Sequence, residues 1–171
     1  MDTVEATRTY LEMRSLTQLR PARTPGRRAS VEQVMRCPPA FYRFLYNTIG
    51  ADYHWTDRAS WSDAEIRAHL AQRNIELRVL YVDGAPAGFY ELRRDEEDGI
   101  EIAYFGLLKE HVGHGLGGYL LTEAVTRAFA QAPARIWLHT CTLDHPAALH
   151  NYLERGFQVV RQERYTAQLR Q

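Results

Sequence analysis

Four glycines within six positions are the first feature of this sequence with a possible chemical role. They lie in the stretch EHVGHGLGGYLL, residues 110–121, and an apolar run follows them. Free N–H groups in the first turn of a helix attract anions, and glycine lets a phosphate approach the backbone without meeting a Cβ atom. One or two glycines would suffice for a tight strand-to-helix connection, so four of them favour an anion-binding loop.

Two nucleotide-binding motifs share some of these letters but not their context. Gly113, Gly115 and Gly118 satisfy the dinucleotide pattern G-x-G-x-x-G. That pattern normally follows the first strand of a domain and precedes an acidic residue by about twenty positions. Here the loop lies far from the start of the chain, and residues 137–139 contain no carboxylate. A P-loop would need Lys and then Ser or Thr after its last glycine, where this chain has Gly118 and Tyr119.

The glycine stretch and a second segment resemble motifs of the GNAT superfamily of N-acetyltransferases. VGHGLG, residues 112–117, matches the family's pyrophosphate loop Q/R-x-x-G-x-G/A except at Val112, where Gln or Arg is usual. LDHPAALHNYLERGF, residues 143–157, is similar to the family's segment D-N-P-A-A-x-x-x-Y-x-x-x-G-F, with His145 in place of Asn. The two motifs stand in the family's order with the expected strand between them, and the resemblance extends over nearly the whole chain.

The resemblance implies an α+β fold, an α/β-type three-layer sandwich, in one domain over residues 1–171. Its mixed, mostly antiparallel sheet would splay at the centre, between the parallel strands 100–108 and 134–141, with helices on both faces. The pantetheine arm of acetyl-CoA would fill that opening like an added strand. Gly106 is expected to form a bulge that opens the first of these strands, and an ordinary strand glycine is the alternative.

Acetyl-CoA is the co-substrate that the resemblance implies, and no metal is expected. No histidine or cysteine spacing in the chain is that of a metal site. His111 and His114 flank the loop, where they would either meet phosphates or be plain surface residues. The residues expected to bind the co-substrate are Phe105, Gly106, Leu107, Val112, Gly113, His114, Gly115, Leu116, Gly117, Gly118, His145 and Leu149.

Aminolysis of a thioester requires an amine that has lost its extra proton. An alkylammonium with a pKa near 10.4 loses it at a cost of about 4.6 kcal/mol at pH 7. The resemblance implies a base on the strand that leads to the glycine loop, which makes Glu101 the candidate. Strict alternation puts Glu101 on the same face as Phe105 and opposite Tyr104. A solvent-facing strand carboxylate is the alternative.

The leaving thiolate, with an intrinsic pKa around 8.5, is helped by a proton donor. Tyr152 matches the tyrosine that donates this proton in the family, and a packed core tyrosine is the alternative. Cys141 ends the strand 134–141 near the expected thioester, where a structural thiol is favoured over a nucleophile. Alternation along the same strand makes His139 a candidate for burial.

The first two helices and their connection would cover the acceptor in this fold. The stretch FYRFLYNTIGADYHW, residues 41–55, would therefore line the acceptor site. Its rings could hold an aromatic or cationic amine, either a small molecule or a peptide. The same residues could instead form extra core or a homodimer surface. The expected acceptor contacts are Tyr42, Tyr46, Tyr53 and Trp55, with His54 beside them.

The function that follows is that of an acetyl-CoA-dependent N-acetyltransferase. It would move the acetyl group to a primary amine by direct attack in a ternary complex. The alternative is a non-catalytic acyl-CoA sensor with the same fold, which would keep the glycine loop but lack a working base. Glu101 is the residue that distinguishes the two.

Hydrophobic periodicity predicts the elements that would position these residues, in the order β-α-α-β-β-β-α-β-α-β. Ser62 and Glu65 form a capping box at the start of the second helix. Residues 20–30 carry two prolines and four arginines and are predicted to be a loop. The predicted strands are 7–16, 75–82, 87–94, 100–108, 134–141 and 157–169, and the predicted helices are 38–50, 62–72, the one after the glycines, and 145–156.

The composition is that of an ordinary globular chain, with 171 residues of which 45% are apolar. Because 21 basic and 21 acidic residues balance, no field favours nucleic acid or an acidic membrane surface. No apolar run reaches the eighteen residues of a membrane span. The start lacks the apolar region of a secretory signal, and Cys37 and Cys141 lie far apart, so a reduced, cytoplasmic protein is expected.

Overall fold

Seven strands and four α-helices lie within residues 2–169, the part of the chain that this computed structural model describes. In chain order they are β1 (Thr3–Met13), β2 (Ala29–Gln33), α1 (Pro39–Gly50), α2 (Asp63–Leu70), β3 (Ile75–Val82), β4 (Ala85–Asp95), β5 (Gly99–Leu107), α3 (Leu116–Phe129), β6 (Ile136–Cys141), α4 (Ala148–Arg155) and β7 (Gln158–Gln168).

Local sequence signals set several of these boundaries. The β3–β4 turn uses Asp83 and Gly84 with φ of 52° and 88°, the left-handed region that the commonest two-residue hairpin turn requires at both positions. The Ser62 side chain accepts a hydrogen bond from the Glu65 N–H, so the predicted capping box of α2 is confirmed. Gly156 ends α4 with φ 109°, a conformation that favours glycine.

All seven strands join one mixed sheet in the order β2-β3-β4-β5-β6-β1-β7. Every neighbouring pair is antiparallel except β5 and β6, which are parallel and share only two residue pairs. The predicted fold class is confirmed, since the sheet is mostly antiparallel and its one parallel pair separates near the centre. β1 lies between β6 and β7, so the first strand of the chain completes the far half of the sheet.

The two N-terminal strands differ from the expectation. β1 begins and ends several residues before the predicted strand 7–16. It ends early because Ser15 caps a 3-10 turn over Leu16–Gln18. β2 is absent from the prediction. It is a short edge strand whose residues are all exposed or half-buried, so it lacks the apolar alternation that would reveal it. The loop predicted over 20–30 therefore ends at Arg28.

Helices cover both faces of the sheet over separate hydrophobic cores. α3 and α4 pack on one face over the α3 core, and α1 and α2 pack on the other face over the α1 core. No helix within residues 2–169 is both long and apolar enough to cross a membrane. The predicted buried side of α3 is confirmed, because all four residues predicted for it are at most 1% exposed: Leu116, Leu120, Ala124 and Ala128.

Candidate active site

A cleft of about 990 Å³ opens where β5 and β6 separate. The two strands are paired only at Ile100 with Ile136 and at Glu101 with Trp137. Beyond Glu101 the β6-facing backbone groups of β5 have no partner in that strand. One end of the cleft lies between β5, the glycine loop and α4, and the other lies between the α1–α2 connection and the strands β1 and β7.

A β-bulge at Ala103 decides which β5 side chains share a face. The residues on either side of Ala103 pair with consecutive residues of β4. Tyr104 therefore lies on the same face as Glu101, against the α1 core, and Phe105 lies against the α3 core. The predicted alternation, with Glu101 and Phe105 on one face, is wrong. The extra residue at Ala103 shifts the two-residue alternation by one position, so Phe105 lies on the opposite face from Glu101.

Gly106 has a packing role instead of the predicted bulge. It stays in register with Phe89 on β4, so the bulge predicted at Gly106 is wrong. A Cβ atom at this position would lie 2.5 Å from Cγ2 of Ile49 on α1. Glycine is needed here because α1 comes this close to the sheet, and its backbone still lines the cleft.

The glycine loop presents open backbone at the start of α3. Gly113 and Gly115 have φ of +85° and +76°, and a Cβ atom at either would meet nothing within 4 Å. Gly115 is the N-cap of α3, and no side chain caps this helix. The N–H groups of the first turn are therefore left for an anion, an arrangement that fits a diphosphate.

The residues expected to bind the co-substrate divide into two groups. His114 and Gly115 are exposed on the loop. Leu116 is 1% exposed in the core, and Gly118 faces α4, so their backbone is the part that could meet a ligand. Leu149 packs against the core. Seven others line the cleft: Phe105, Gly106, Leu107, Val112, Gly113, Gly117 and His145.

Hydrogen bonds fix the segment that leads into α4. Asp144 accepts from the Thr140 hydroxyl and from the Cys141 N–H, the latter at 2.9 Å. His145 accepts the Ala147 N–H on Nδ1 at 3.0 Å. His145 thus orients the first turn of α4 while its ring lines the cleft, which gives it a structural role besides any contact with a ligand.

Tyr152 projects from α4 to the cleft between two aromatic rings. The centroids of Phe105 and Phe157 are each 6.1 Å from its ring, and the residue is 7% exposed. Burial, with a smaller effect of the Asp144 charge, raises the pKa of Tyr152 well above its usual value. Its hydroxyl is therefore protonated at neutral pH, and it makes no hydrogen bond to other residues in the described part of the chain.

Glu101 lies at the point where the strands separate. It is 9% exposed and lines the cleft. Arg93 on β4 donates one hydrogen bond from Nε to the carboxylate oxygen Oε2 at 2.9 Å, and its Nη2 lies 2.6 Å from the same oxygen as an ion pair. The other oxygen, Oε1, has no hydrogen-bond partner among residues 2–169.

His139 is exposed in the cleft, so the predicted burial is wrong. β6 turns Ile136, Leu138 and Thr140 toward the α3 core and turns His139 the other way. Within residues 2–169, the side chains on that side of β6 belong to neither of the two cores that the helices cover. The ring packs against Tyr10 of β1 at a centroid distance of 5.7 Å.

Aromatic residues line the end of the cleft beside the α1–α2 connection, as expected, but only two of the four residues predicted to contact the acceptor do so. Tyr53 and Trp55 lie on the wall. Tyr42 and Tyr46 are each 1% exposed and belong to the core under α1. Side chains on the inner side of a helix are covered by the sheet beneath it. Tyr42 and Tyr46 therefore follow the alternative in which these residues form extra core.

The sequence profile of the Acetyltransferase (GNAT) family matches residues 42–157, more than half of the chain. The chain belongs to the GNAT family. The matched region includes the glycine loop, the separated strands and α4. The family that the profile describes is one of acetyltransferases. None of the curated proteins compared with the chain matches it.

Solved GNAT structures share the fold at low sequence identity. A GCN5-related N-acetyltransferase from Kribbella flavida is 18% identical over 96% of this chain and 58% of its own, with a TM-score of 0.66. One from Sphaerobacter thermophilus is 14% identical over 95% and 51%, with a TM-score of 0.65. This chain therefore spans only about half to three fifths of those two proteins. An aminoglycoside acetyltransferase from an uncultured soil metagenomic sample, in complex with sisomicin, is 14% identical over 74% and 87%, with a TM-score of 0.62.

A buried ionic network next to the end of the cleft beside the α1–α2 connection was not predicted from the sequence. Glu91 on β4 is fully buried. Arg58 donates to both of its oxygens at 2.8 and 2.9 Å, Nε2 of His69 lies 3.1 Å from Oε2, and the Tyr42 hydroxyl donates to Oε1 at 3.1 Å. Burial would raise the pKa of Glu91, but the hydrogen bonds from His69 and Arg58 outweigh it and lower the pKa.

The network attaches the α1–α2 connection to the sheet. The Arg58 guanidinium lies 4.4 Å from the Tyr104 ring centroid and 4.9 Å from that of Trp61. The faces of these two rings are thus occupied by a cation of the protein itself. The one signal of this network in the sequence is Glu91, a single carboxylate inside an apolar strand. The residues next to Glu91 in the sequence do not indicate its partners. No three histidine, cysteine or carboxylate side chains converge as metal ligands in the described residues.

Proposed function

We propose that this GNAT protein transfers an acetyl group from acetyl-CoA to a primary amine, by direct attack within a ternary complex. The observation that carries the proposal is the continuity of one cleft. It joins the glycine loop, the opening between β5 and β6 with Tyr152 and Glu101, and the aromatic wall beside the α1–α2 connection. A donor and an acceptor bound at its two ends would meet at the opening.

The donor end suits the phosphates and the extended arm of acetyl-CoA. The N–H groups of the first turn of α3 would hold the diphosphate, assisted by the positive end of the helix dipole. The unpaired backbone of β5 would hydrogen-bond the pantetheine amides as a neighbouring strand does. When bound, the co-substrate supplies an activated acetyl thioester, and the residues of the chain orient it and handle the protons.

Two side chains at the opening would handle those protons. Tyr152 keeps its hydroxyl proton at neutral pH, so it can donate it as the sulfur leaves. Glu101 would assist removal of the proton from the acceptor ammonium, since Oε1 of its carboxylate is not engaged by Arg93.

The ion pair between Arg93 and Glu101 favours one alternative, a non-catalytic acyl-CoA sensor. A carboxylate held by arginine is a weaker base, because the cation stabilises the charged form. A sensor would bind acetyl-CoA without consuming it. Turnover with any amine rejects this alternative.

The experiment is a panel of amines assayed by thiol release, beside thermal unfolding with and without CoA. The panel should contain aminoglycosides, arylalkylamines, polyamines and peptides with free amino groups, since an aminoglycoside acetyltransferase is among the structural neighbours. We expect CoA to raise Tm and at least one amine to release thiol above the hydrolysis rate. Absence of both effects contradicts the proposal, and a Tm shift without thiol release supports the sensor.

A further inference from the structure

His139 shares a face and an opening with Glu101. In a parallel ladder, paired residues point to the same side of the sheet. Ile100 and Ile136 are paired and both belong to the α3 core, so Glu101 and its pair Trp137 point to the other side. His139 lies two residues, about 7 Å, further along β6 on that same side, where the two strands have already separated.

The His139 imidazole is available for chemistry. It is exposed in the cleft, and neither ring nitrogen makes a hydrogen bond to other residues within the described part of the chain. Its packing against Tyr10 holds the ring on the cleft wall. Glu101 differs, because its carboxylate is nearly buried and its Oε2 is held by Arg93 through one hydrogen bond and an ion pair.

We propose that His139 takes the proton from the acceptor ammonium, and that Glu101 stabilises the imidazolium that forms. This inference rests on the proposed function. In this step an N–H bond of the ammonium breaks and an N–H bond to the imidazole forms. The positive charge moves to His139, and the amine keeps the lone pair with which it attacks. His139 then gives the proton to water, so one proton is released for each amine acylated.

The surroundings of His139 keep the imidazole neutral. Desolvation by the cleft wall and the Arg8 charge lower the pKa of His139, against smaller opposite effects of Glu101, Asp144 and Asp57. A neutral imidazole at pH 7 is the form that can accept a proton. Among the other titratable groups, Tyr10 on β1 packs against the ring, and Arg93 on β4, Cys141 on β6 and Tyr165 on β7 line the same cleft.

The first test compares His139→Ala with Met35→Ala, a control at a side chain that is 79% exposed and does not line the cleft. In the wild type we expect kcat/KM to fall on the acid side with an apparent pKa below 6.5. His139→Ala should lower kcat/KM about 100-fold or more and remove this acid limb. Added imidazole should restore turnover in proportion to its neutral fraction, with CoA affinity and Tm unchanged. The control should keep the wild-type profile.

The second test needs no turnover. The imidazole resonances of His139 in the CoA-free protein, assigned by their loss in His139→Ala, should titrate with a midpoint below 6.5. Wild-type turnover that His139→Ala leaves unchanged overturns this inference alone, as does a midpoint above 7. A wild-type protein that acylates no amine overturns the proposed function and this inference with it.

Discussion

At Tyr152 a single substitution separates the packing role of the ring from the proposed proton-donor role of the hydroxyl. Its ring fills a space between Phe105 and Phe157, and its hydroxyl reaches the cleft. Tyr152→Phe keeps the packing and removes the proton donor. We expect kcat to fall about 100-fold, the low end of the range for general acid catalysis, since a thiolate leaves readily. Steady-state kinetics measure the change, and calorimetry with CoA should give the wild-type Kd. An unchanged kcat would return Tyr152 to a purely structural role.

Gly106 offers a test of close packing at residue scale. A Cβ atom there would meet Ile49 of α1 at 2.5 Å. We expect Gly106→Ala to lower the free energy of unfolding by about 1–3 kcal/mol, as overpacking does. Urea denaturation measures this value. Gly26→Ala is the matched control, since a Cβ atom there meets nothing within 4 Å, and it should be close to neutral. Equal stability of the two variants would contradict the contact.

The positions of residues in the cleft were predictable from the sequence where a motif fixed them and not where strand register did. Tyr152 and the glycines follow from their motifs, and the cleft brings most of them together. The bulge at Ala103 exchanges the faces of Tyr104 and Phe105, and no residue type announces it. The predicted burial of His139 is wrong, because alternation shows which face of the sheet a side chain is on but not whether a helix covers that face.

The connection between α1 and α2 depends on the buried pair of Glu91 and Arg58. Glu91→Gln would leave the Arg58 charge without its anion, which costs about 3–5 kcal/mol for a buried pair. The folded-state pKa of Glu91 lies below the ordinary value of 4.5. Its stabilising effect is therefore complete above that value and is lost as the pH falls through the lower folded-state pKa.

Urea unfolding of the wild type and Glu91→Gln as a function of pH checks this prediction. The difference in unfolding free energy should be full at pH 7 and should shrink on acidification below about 4.5. Asp83→Asn removes the exposed pair with Arg27 and should cost less than about 1 kcal/mol. A difference between wild type and Glu91→Gln that does not change with pH would show that the Glu91 charge is not the stabilising feature.

The start of α3 can be tested by charge alone at Gly115. Asn and Asp both tolerate the left-handed conformation that Gly115 adopts, and they differ in charge. An Asp carboxylate at the N-cap would compete with a phosphate for the same N–H groups and repel it. We expect Gly115→Asp to weaken CoA binding at least tenfold relative to Gly115→Asn, by calorimetric titration. Equal affinities would mean that the phosphates lie elsewhere.

Elements with strong periodicity were predicted well and the weak ones were not. The capping box of α2, the buried side of α3 and the β3–β4 turn all follow from local sequence. β2 could not be predicted, because a short, mostly exposed edge strand is held by its neighbour and not by its own pattern.

At the scale of the whole molecule, the proposed function depends on a sheet divided into two halves. The strands β2 to β5 form one half, and β6, β1 and β7 form the other. Two residue pairs between β5 and β6 join the halves. The sequence and its resemblance predicted the opening between the halves. They could not predict that the first strand, β1, inserts between β6 and β7, since long-range pairing leaves no local signal.

Calorimetric titration of the wild-type protein with acetyl-CoA tests the central claim most directly, because the claim is that this opening and the adjacent α3 N-terminus form one binding site. We predict saturable heat that fits a single site per chain, abolished or strongly weakened in Gly115→Asp but retained in His139→Ala and Tyr152→Phe. Absence of saturable heat with the wild type would contradict the account.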